Sequence, residues 1–408
     1  VVVYLRGKLF FLLGVLGGKI KDCFLGVGQL EFRNMWDHRA LSRLDFRILP
    51  IVGCLMLISL LVISSMTGGE SEQVQFWTPL VKSQLRWQLL GLALFFFMAG
   101  FDYRKLRDWS AILYIGIVLL LIGLFFVSPI QNVHRWYRIP GLMSIQPSEQ
   151  AKLILVIVLG WFLERRGASV GTIGTAAQVG LLVGIPFLLI LKQPDLGTSL
   201  ILYPIALGMG YFAGVHKGVL RVFTWLGLIG LVVVAMLFLG VFSHEKMRPV
   251  FTTVMKEYQY ERLNPNTYHQ KASQIAIAIG GVHGTGWHKS EFSGRKWLPA
   301  AHTDSVFSAF GEEFGFLGLT FLLFLFYALI YFSFQVAAVA KDPFGRLLGA
   351  GLAVYLAMHV LVNIAMMCAL LPISGVPLIF VTYGGSSLLT TMAALGVLQS
   401  IYSRRFMF

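Results

Sequence analysis

Residues 46–66 read Phe-Arg-Ile-Leu-Pro-Ile-Val-Gly-Cys-Leu-Met-Leu-Ile-Ser-Leu-Leu-Val-Ile-Ser-Ser-Met, with no charge after Arg47. About 20 mainly apolar residues are what a helix needs to cross a bilayer at roughly 1.5 Å per residue. A surface helix of a soluble domain carries a polar face, and this run has none. Nine further stretches share the pattern: Trp87–Phe101, Trp109–Val127, Pro147–Leu163, Thr172–Leu191, Pro194–Ala213, Val219–Phe242, Thr303–Ala338, Leu347–Leu370 and Pro377–Tyr402. The second of the ten is short and has to borrow flanking residues. The eighth is long enough to begin outside the hydrocarbon.

Composition points the same way. Of 408 residues 57% are hydrophobic and 13% charged, against roughly a quarter charged in a soluble domain. Mean hydropathy is +0.74. These values exclude a disordered chain, a collagen-like chain, a disulfide-stapled secreted domain and a water-soluble globule. The expected fold is an all-α polytopic membrane protein with about ten transmembrane helices. The net charge of +14 then belongs to loops and acidic headgroups, and nucleic acid is not an expected partner. Cys23, Cys54 and Cys368 stand far apart, without metal or redox spacing.

Positive charge in short loops sets direction. One set carries Arg104, Lys105 and Arg107, then Arg165 and Arg166, Lys217 and Arg221, Lys341 and Arg346, and Arg404 and Arg405; Arg33, Arg39 and Arg43 precede the first span. The opposite short loops hold fewer. Both termini are therefore expected in the cytoplasm of a multi-pass protein of the cytoplasmic (inner) membrane. The organisation expected is a cytoplasmic segment 1–45, a membrane domain 46–402 with one large outer loop at 243–302, and a cytoplasmic tail 403–408. Leu9–Leu16 is too short to span and lacks an A-x-A-like cleavage site. Residues 1–34 read as a lipid-surface segment or as an extension upstream of Met35.

Ionisable residues within spans cost about 2.5–3.5 kcal/mol each on insertion scales, so each needs a reason. Here they collect at four helix starts, all on the outer side in this orientation. The fourth span opens with Gln146-Pro147-Ser148-Glu149 and Lys152, the sixth with Gln193-Pro194-Asp195-Leu196-Gly197-Thr198. The eighth opens with His302-Thr303-Asp304 and continues to Glu312-Glu313. The tenth follows Leu371–Pro377 and carries Thr382-Tyr383-Gly384-Gly385-Ser386. Proline at the first helical position costs no backbone donor, and the free N–H groups at such a start attract anions. Glu149 and Lys152, three apart, share a helix face. Asp304 and Glu312 fall about 80° apart on a helix, with Glu313 on the opposite side.

Each motif also has a structural reading. Glu149 with Lys152 can be a buried pair that fixes packing, and Asp195 and Asp304 can be helix caps. Tyr383-Gly384-Gly385-Ser386 can be a close helix contact. What these readings leave unexplained is that all four starts share one side. No GxxxxGK[ST] occurs, and the outer face of a bacterial membrane has no nucleotide pool. An enzyme there needs a substrate that brings its own activation, such as a lipid-linked pyrophosphate sugar.

Taken together, Arg135-Trp136, the two Gln-Pro starts, Ile275-Ala276-Ile277 with Gly280-Gly281, Leu298-Pro299, His302-Thr303-Asp304, Glu312-Glu313, Asn363, Leu371–Pro377 and Tyr383–Ser386 resemble the SEDS family (shape, elongation, division and sporulation), in its RodA-like branch. The resemblance runs from about Leu44 to Tyr402. It implies a ten-span peptidoglycan glycosyltransferase that polymerises lipid II, the undecaprenyl-pyrophosphate-linked disaccharide peptide, during elongation and shape maintenance. A class B penicillin-binding protein transpeptidase and other membrane proteins of the elongation complex are its implied partners. The resemblance names no certain cofactor and leaves room for a divalent cation, with no metal-ligating residue among the candidates.

One departure stands out. The family carries an Asp-Pro pair in the outer loop, its usual catalytic candidate, before a Gly-Tyr. Here the stretch reads Arg262-Leu263-Asn264-Pro265-Asn266-Thr267-Tyr268-His269-Gln270. If Tyr268 takes the family tyrosine's place, the aspartate is deleted. The base role then falls to Asp304, with Glu261 as substitute. Phosphate handling and substrate orientation fall to Arg135, Gln146, Ser148, Glu149, Lys152, Gln193, Asp195, Thr198, His302, Thr303, Glu312, Tyr383, Gly384, Gly385 and Ser386. Two rival functions remain: a flippase for the lipid-linked precursor, and a scaffold for the penicillin-binding protein that has lost catalysis.

Overall fold

The computed structural model describes residues 36–67, 76–128, 134–139, 143–238 and 267–406, with isolated residues between 241 and 264. The expectations for residues 1–34 and for Glu261 lie outside the described residues. Cys54 and Cys368 are free thiols.

Among the described residues, ten long helices coincide with the ten apolar stretches. In chain order they are α1 (Ile48–Thr67), α2 (Pro79–Gly100), α3 (Lys105–Gly123), α4 (Pro147–Arg166), α5 (Ile173–Lys192), α6 (Leu196–Ala213) and α7 (Lys217–Phe238). After two short loop helices, α8 (Tyr268–Gly280) and α9 (Glu291–Gly294), come α10 (Val306–Val339), α11 (Pro343–Met367) and α12 (Gly385–Ser403). A two-stranded antiparallel hairpin, β1 (Tyr137–Ile139) and β2 (Met143–Ile145), precedes α4 and pairs Arg138 with Ser144. Sequence alone did not indicate it. The second span starts at Pro79, capped by the Thr78 side chain, which accepts from the Val81 N–H. That is how the short stretch reaches full length.

Seven of the ten helices are long and apolar enough to cross a membrane on that ground alone. The other three, α2, α4 and α12, carry polar side chains that the interior takes up: Gln84 and Gln88, Glu149 and Lys152, and Thr391, Gln399 and Ser400 are all buried. Helix α12 packs along α2 and touches α4. Small residues allow it. A methyl group at Gly396 would come within 2.6 Å of the Phe95 carbonyl oxygen on α2. The periphery is the reverse. Helix α7 leaves Phe223, Trp225 and Leu226 exposed, and α10 does so with Phe321, Phe324 and Tyr327. Water would penalise that surface; lipid does not. The chain is a polytopic helical membrane protein.

The eighth span is not one regular helix. Gly315 has φ +63° and ψ −163° and breaks α10. The freed carbonyls of Glu312 and Glu313 accept from the N–H groups of Thr285 and Gly286, and Phe316 and Leu317 donate to the carbonyls of Gly281 and Val282. Away from water a broken helix needs such internal partners, and the loop after α8 supplies them. A side chain at Gly315 would also meet the Val282 carbonyl at 2.6 Å. Gly315→Ala is expected to cost about 1–3 kcal/mol, read as a lowered Tm in detergent. Gly230→Ala on α7, with nothing within 4 Å of the added carbon, is expected to hold or raise Tm.

Candidate active site

The starts of α4, α6, α10 and α12 meet at one end of the bundle around a cavity of about 1050 Å³. Its wall takes Gln146 and Asp195 from two of them, His302, Thr303 and Asp304 from the turn before α10, and Tyr383, Gly384, Gly385 and Ser386 from the start of α12. Arg135, Trp136 and Ser144 of the hairpin region and the segment around Ser374–Pro377 complete it.

Local chemistry explains each placement. Pro147 occupies the first turn of α4, where its missing N–H costs nothing. Asp195 caps α6: Oδ1 accepts from the Thr198 N–H at 3.3 Å. Its Oδ2 accepts from Gln146 Nε2 at 3.0 Å and Ser148 Oγ at 3.1 Å, which ties the two helix starts together. Ser386 Oγ accepts from the Gln146 N–H at 3.3 Å and Gln150 Nε2 at 3.2 Å, joining α12 to the pair. The Tyr383 N–H donates to the His302 carbonyl at 3.0 Å, and Thr382 Oγ1 donates to the Thr303 carbonyl at 3.1 Å. Arg135 is held by the carbonyls of Gln193 (Nε, 3.1 Å) and Pro194. These carbonyls orient the guanidinium, which forms part of the cavity wall.

Asp304 faces two histidines. His269, at the start of α8, and His302 both line the same cavity. Burial pushes both imidazoles below the ordinary value, and the Asp304 charge partly opposes that. Both are therefore neutral near pH 7 and can donate or accept a hydrogen bond. His269 Nε2 lies 2.6 Å from Ser305 Oγ. The Asp304 carbonyl accepts from Asn363 Nδ2 at 3.2 Å, and the same amide reaches the Val376 carbonyl at 2.8 Å.

This arrangement can be set beside known proteins. A family model described as "FTSW_RODA_SPOVE: Cell cycle protein" matches residues 40–405. The chain belongs to this family. Peptidoglycan glycosyltransferase MrdB of Escherichia coli K12 is 32% identical over 387 residues, covering 92% of this chain and 97% of that protein. Probable peptidoglycan glycosyltransferase FtsW of Geobacter metallireducens is 32% identical over 339 residues, covering 79% and 85%. Among solved structures, a chain from work on a peptidoglycan synthase complex that coordinates polymerization and crosslinking superposes with TM-score 0.70 at 26% identity, over 90% of this chain and 99% of that one. Rod shape determining protein RodA of Thermus thermophilus gives 0.64 at 26%, over 89% and 98%. The SEDS resemblance read from the motifs is thus confirmed.

Several expectations within this SEDS fold need correction. Pro194 does not open its helix: Gln193 ends α5, Asp195 is the cap, and α6 begins at Leu196. Gln193 points its amide at the Leu121 carbonyl (2.8 Å). The eighth helix begins at Val306 and the tenth at Gly385, so Asp304 lies in a turn and its helical angle to Glu312 has no meaning. Glu313 does not oppose Glu312, since both reach the same loop. Glu312 accepts from the Phe292 N–H at 2.8 Å and the Ser293 N–H at 2.9 Å. Glu313 accepts from the His288 N–H at 3.2 Å and from Ser290 Oγ at 3.2 Å.

Ser148, Glu149, Lys152, Gln193, Thr198 and Glu312 are not on the cavity wall; they support it from behind. Lys152 Nζ, fully buried, donates to Glu149 Oε1 at 2.8 Å and to His359 Nε2 at 2.8 Å. His359 Nδ1 faces the Pro377 carbonyl, on the cavity rim, at 3.5 Å. None of the sequence motifs includes His359, although a histidine inside a span is itself a signal. His269 was missed because a loop histidine carries none. Among the described residues, no group of three or more His, Cys, Asp or Glu side chains is placed to hold a metal ion.

Proposed function

We propose that this chain is a peptidoglycan glycosyltransferase that polymerises lipid II at the outer face of the cytoplasmic membrane, during elongation and beside a class B penicillin-binding protein. The observation that carries the reading is the convergence of four helix starts and Asp304 on one cavity. Both termini then lie in the cytoplasm, with the Arg- and Lys-rich loops at the opposite end.

In the reaction, the 4-hydroxyl oxygen of one sugar attacks the anomeric carbon of another. The bond from that carbon to the polyprenyl diphosphate breaks as the new glycosidic bond forms. Asp304 takes the hydroxyl proton, and the diphosphate departs with the bonding pair. The neutral imidazoles of His269 and His302 hold sugar hydroxyls. Arg135 and the N–H groups at the starts of α4 and α12 receive the developing negative charge. Glu149, Lys152 and His359 act through Pro377 on the shape of the rim and so are positioning residues. A divalent cation, if used, would screen the diphosphate on the substrate side.

The test is direct. The purified chain with its transpeptidase partner is expected to convert labelled lipid II into polymer in detergent, where sidedness no longer exists. Polymer formation excludes pure transport of the precursor. Its absence with an active partner present would leave the scaffold reading, which the missing loop aspartate motivates.

A further inference from the structure

A second cavity, of about 1180 Å³, adjoins the first and shares Ala300 and His302 with it. It lies between the end of α1, with Ser65 and Thr67, and the loop around α9. That volume exceeds the roughly 300–1,000 Å³ of a drug-sized ligand site and suits a sugar-peptide more than a lone ion. Its charge is one-sided. Lys289, Arg295 and Lys296 line it against one carboxylate, Glu291, which stands 3.6 Å from Arg295. Among the described residues neither lysine has an acidic partner in ion-pair range.

The two nearby buried carboxylates, Glu312 and Glu313, do not line the cavity. Glu312 accepts from the N–H groups of Phe292 and Ser293, and Glu313 Oε1 accepts from the His288 N–H and from the hydroxyls of Ser290 and Ser65. They fix the loop's backbone and leave its cations facing the cavity. Trp287 Nε1 donates to the Leu61 carbonyl at 3.2 Å and pins the same loop to α1. The basin is therefore preorganised.

We propose that this basin is a second saccharide subsite, which binds the carboxylate-bearing peptide of a disaccharide-peptide unit next to the polymerising cavity and retains the strand between successive additions. This rests on the glycosyltransferase reading for its substrate class. Continuity through Ala300 and His302 favours the substrate over a lipid headgroup as the source of the anion.

The test compares wild type with the Lys289→Gln/Arg295→Gln/Lys296→Gln variant, each with its transpeptidase partner. In polymerisation the variant keeps its initial rate within about twofold, while its strands become several-fold shorter. Unchanged strand length overturns the proposal, and so does loss of rate in step with length, which would put these cations in the catalytic machinery. An independent arm measures equilibrium binding of a lipid-free disaccharide-pentapeptide, the same disaccharide without peptide, and phosphatidylglycerol vesicles. Wild type binds the first at least tenfold tighter than the variant does, with an affinity that falls as salt rises. Equal binding by wild type and variant, equal binding of the peptide-free disaccharide, or variant-sensitive binding of the vesicles alone defeats the subsite. Absence of any polymer from wild type defeats the glycosyltransferase reading instead, and the binding arm still decides this one.

Discussion

Asp304→Asn is expected to lower the initial rate of glycan polymerisation by about 10²–10⁴-fold, the range a positioned general base contributes. The substitution keeps the size and polarity of the side chain but removes its basicity. Asp304 sits in a turn before α10, and its backbone carbonyl is held by Asn363 whatever the side chain is. Folding should therefore survive. Tm in detergent and co-purification with the transpeptidase partner are expected to match wild type. The measurement is the rate of lipid II consumption by the purified complex. Full activity in Asp304→Asn together with loss in Glu261→Gln would move the base to the outer loop.

Lys152→Met is expected to destabilise the protein by about 3–5 kcal/mol, because it strands a buried carboxylate. The Lys152 and Glu149 side chains are 0% and 3% exposed, and they are 2.8 Å apart. Removing one charge leaves the other without compensation in a dry interior, and also takes away the donor to His359 Nε2. The observable is a fall in Tm and in the yield of folded protein. Adding Glu149→Gln to Lys152→Met is expected to recover most of the stability, since neither charge is then buried alone. Activity stays low in the double variant, because His359 no longer holds the Pro377 rim through a protonated partner. A Lys152→Met protein as stable as wild type would show that the pair carries no such cost.

Much of this was readable without coordinates, though not evenly. Runs such as Ile48–Thr67 announce themselves because hydrophobic burial depends on composition over about 20 residues, a property of the local chain. The polar starts at Gln146, Asp195 and Asp304 were legible for the converse reason: charge inside an apolar run is costly and so conspicuous. The roles of those polar residues were less accessible. Glu312 and Glu313 look like a reactive pair beside Asp304, yet they bind backbone of residues 288–293, as the break at Gly315 permits. Lys152 looks like a phosphate ligand, yet its ammonium is directed to His359, 207 residues later.

The sequence by itself determined the number of apolar helices, which helix starts carry the polar groups, and the family, because each is written in neighbouring residues and their order. The tertiary structure decided which of those polar groups face open space and which brace it. That choice depends on contacts between segments far apart in the chain, such as Gln146 with Ser386 and Asn363 with Asp304. It follows from how the helices pack, since a buried donor or acceptor takes whichever partner packing brings within reach.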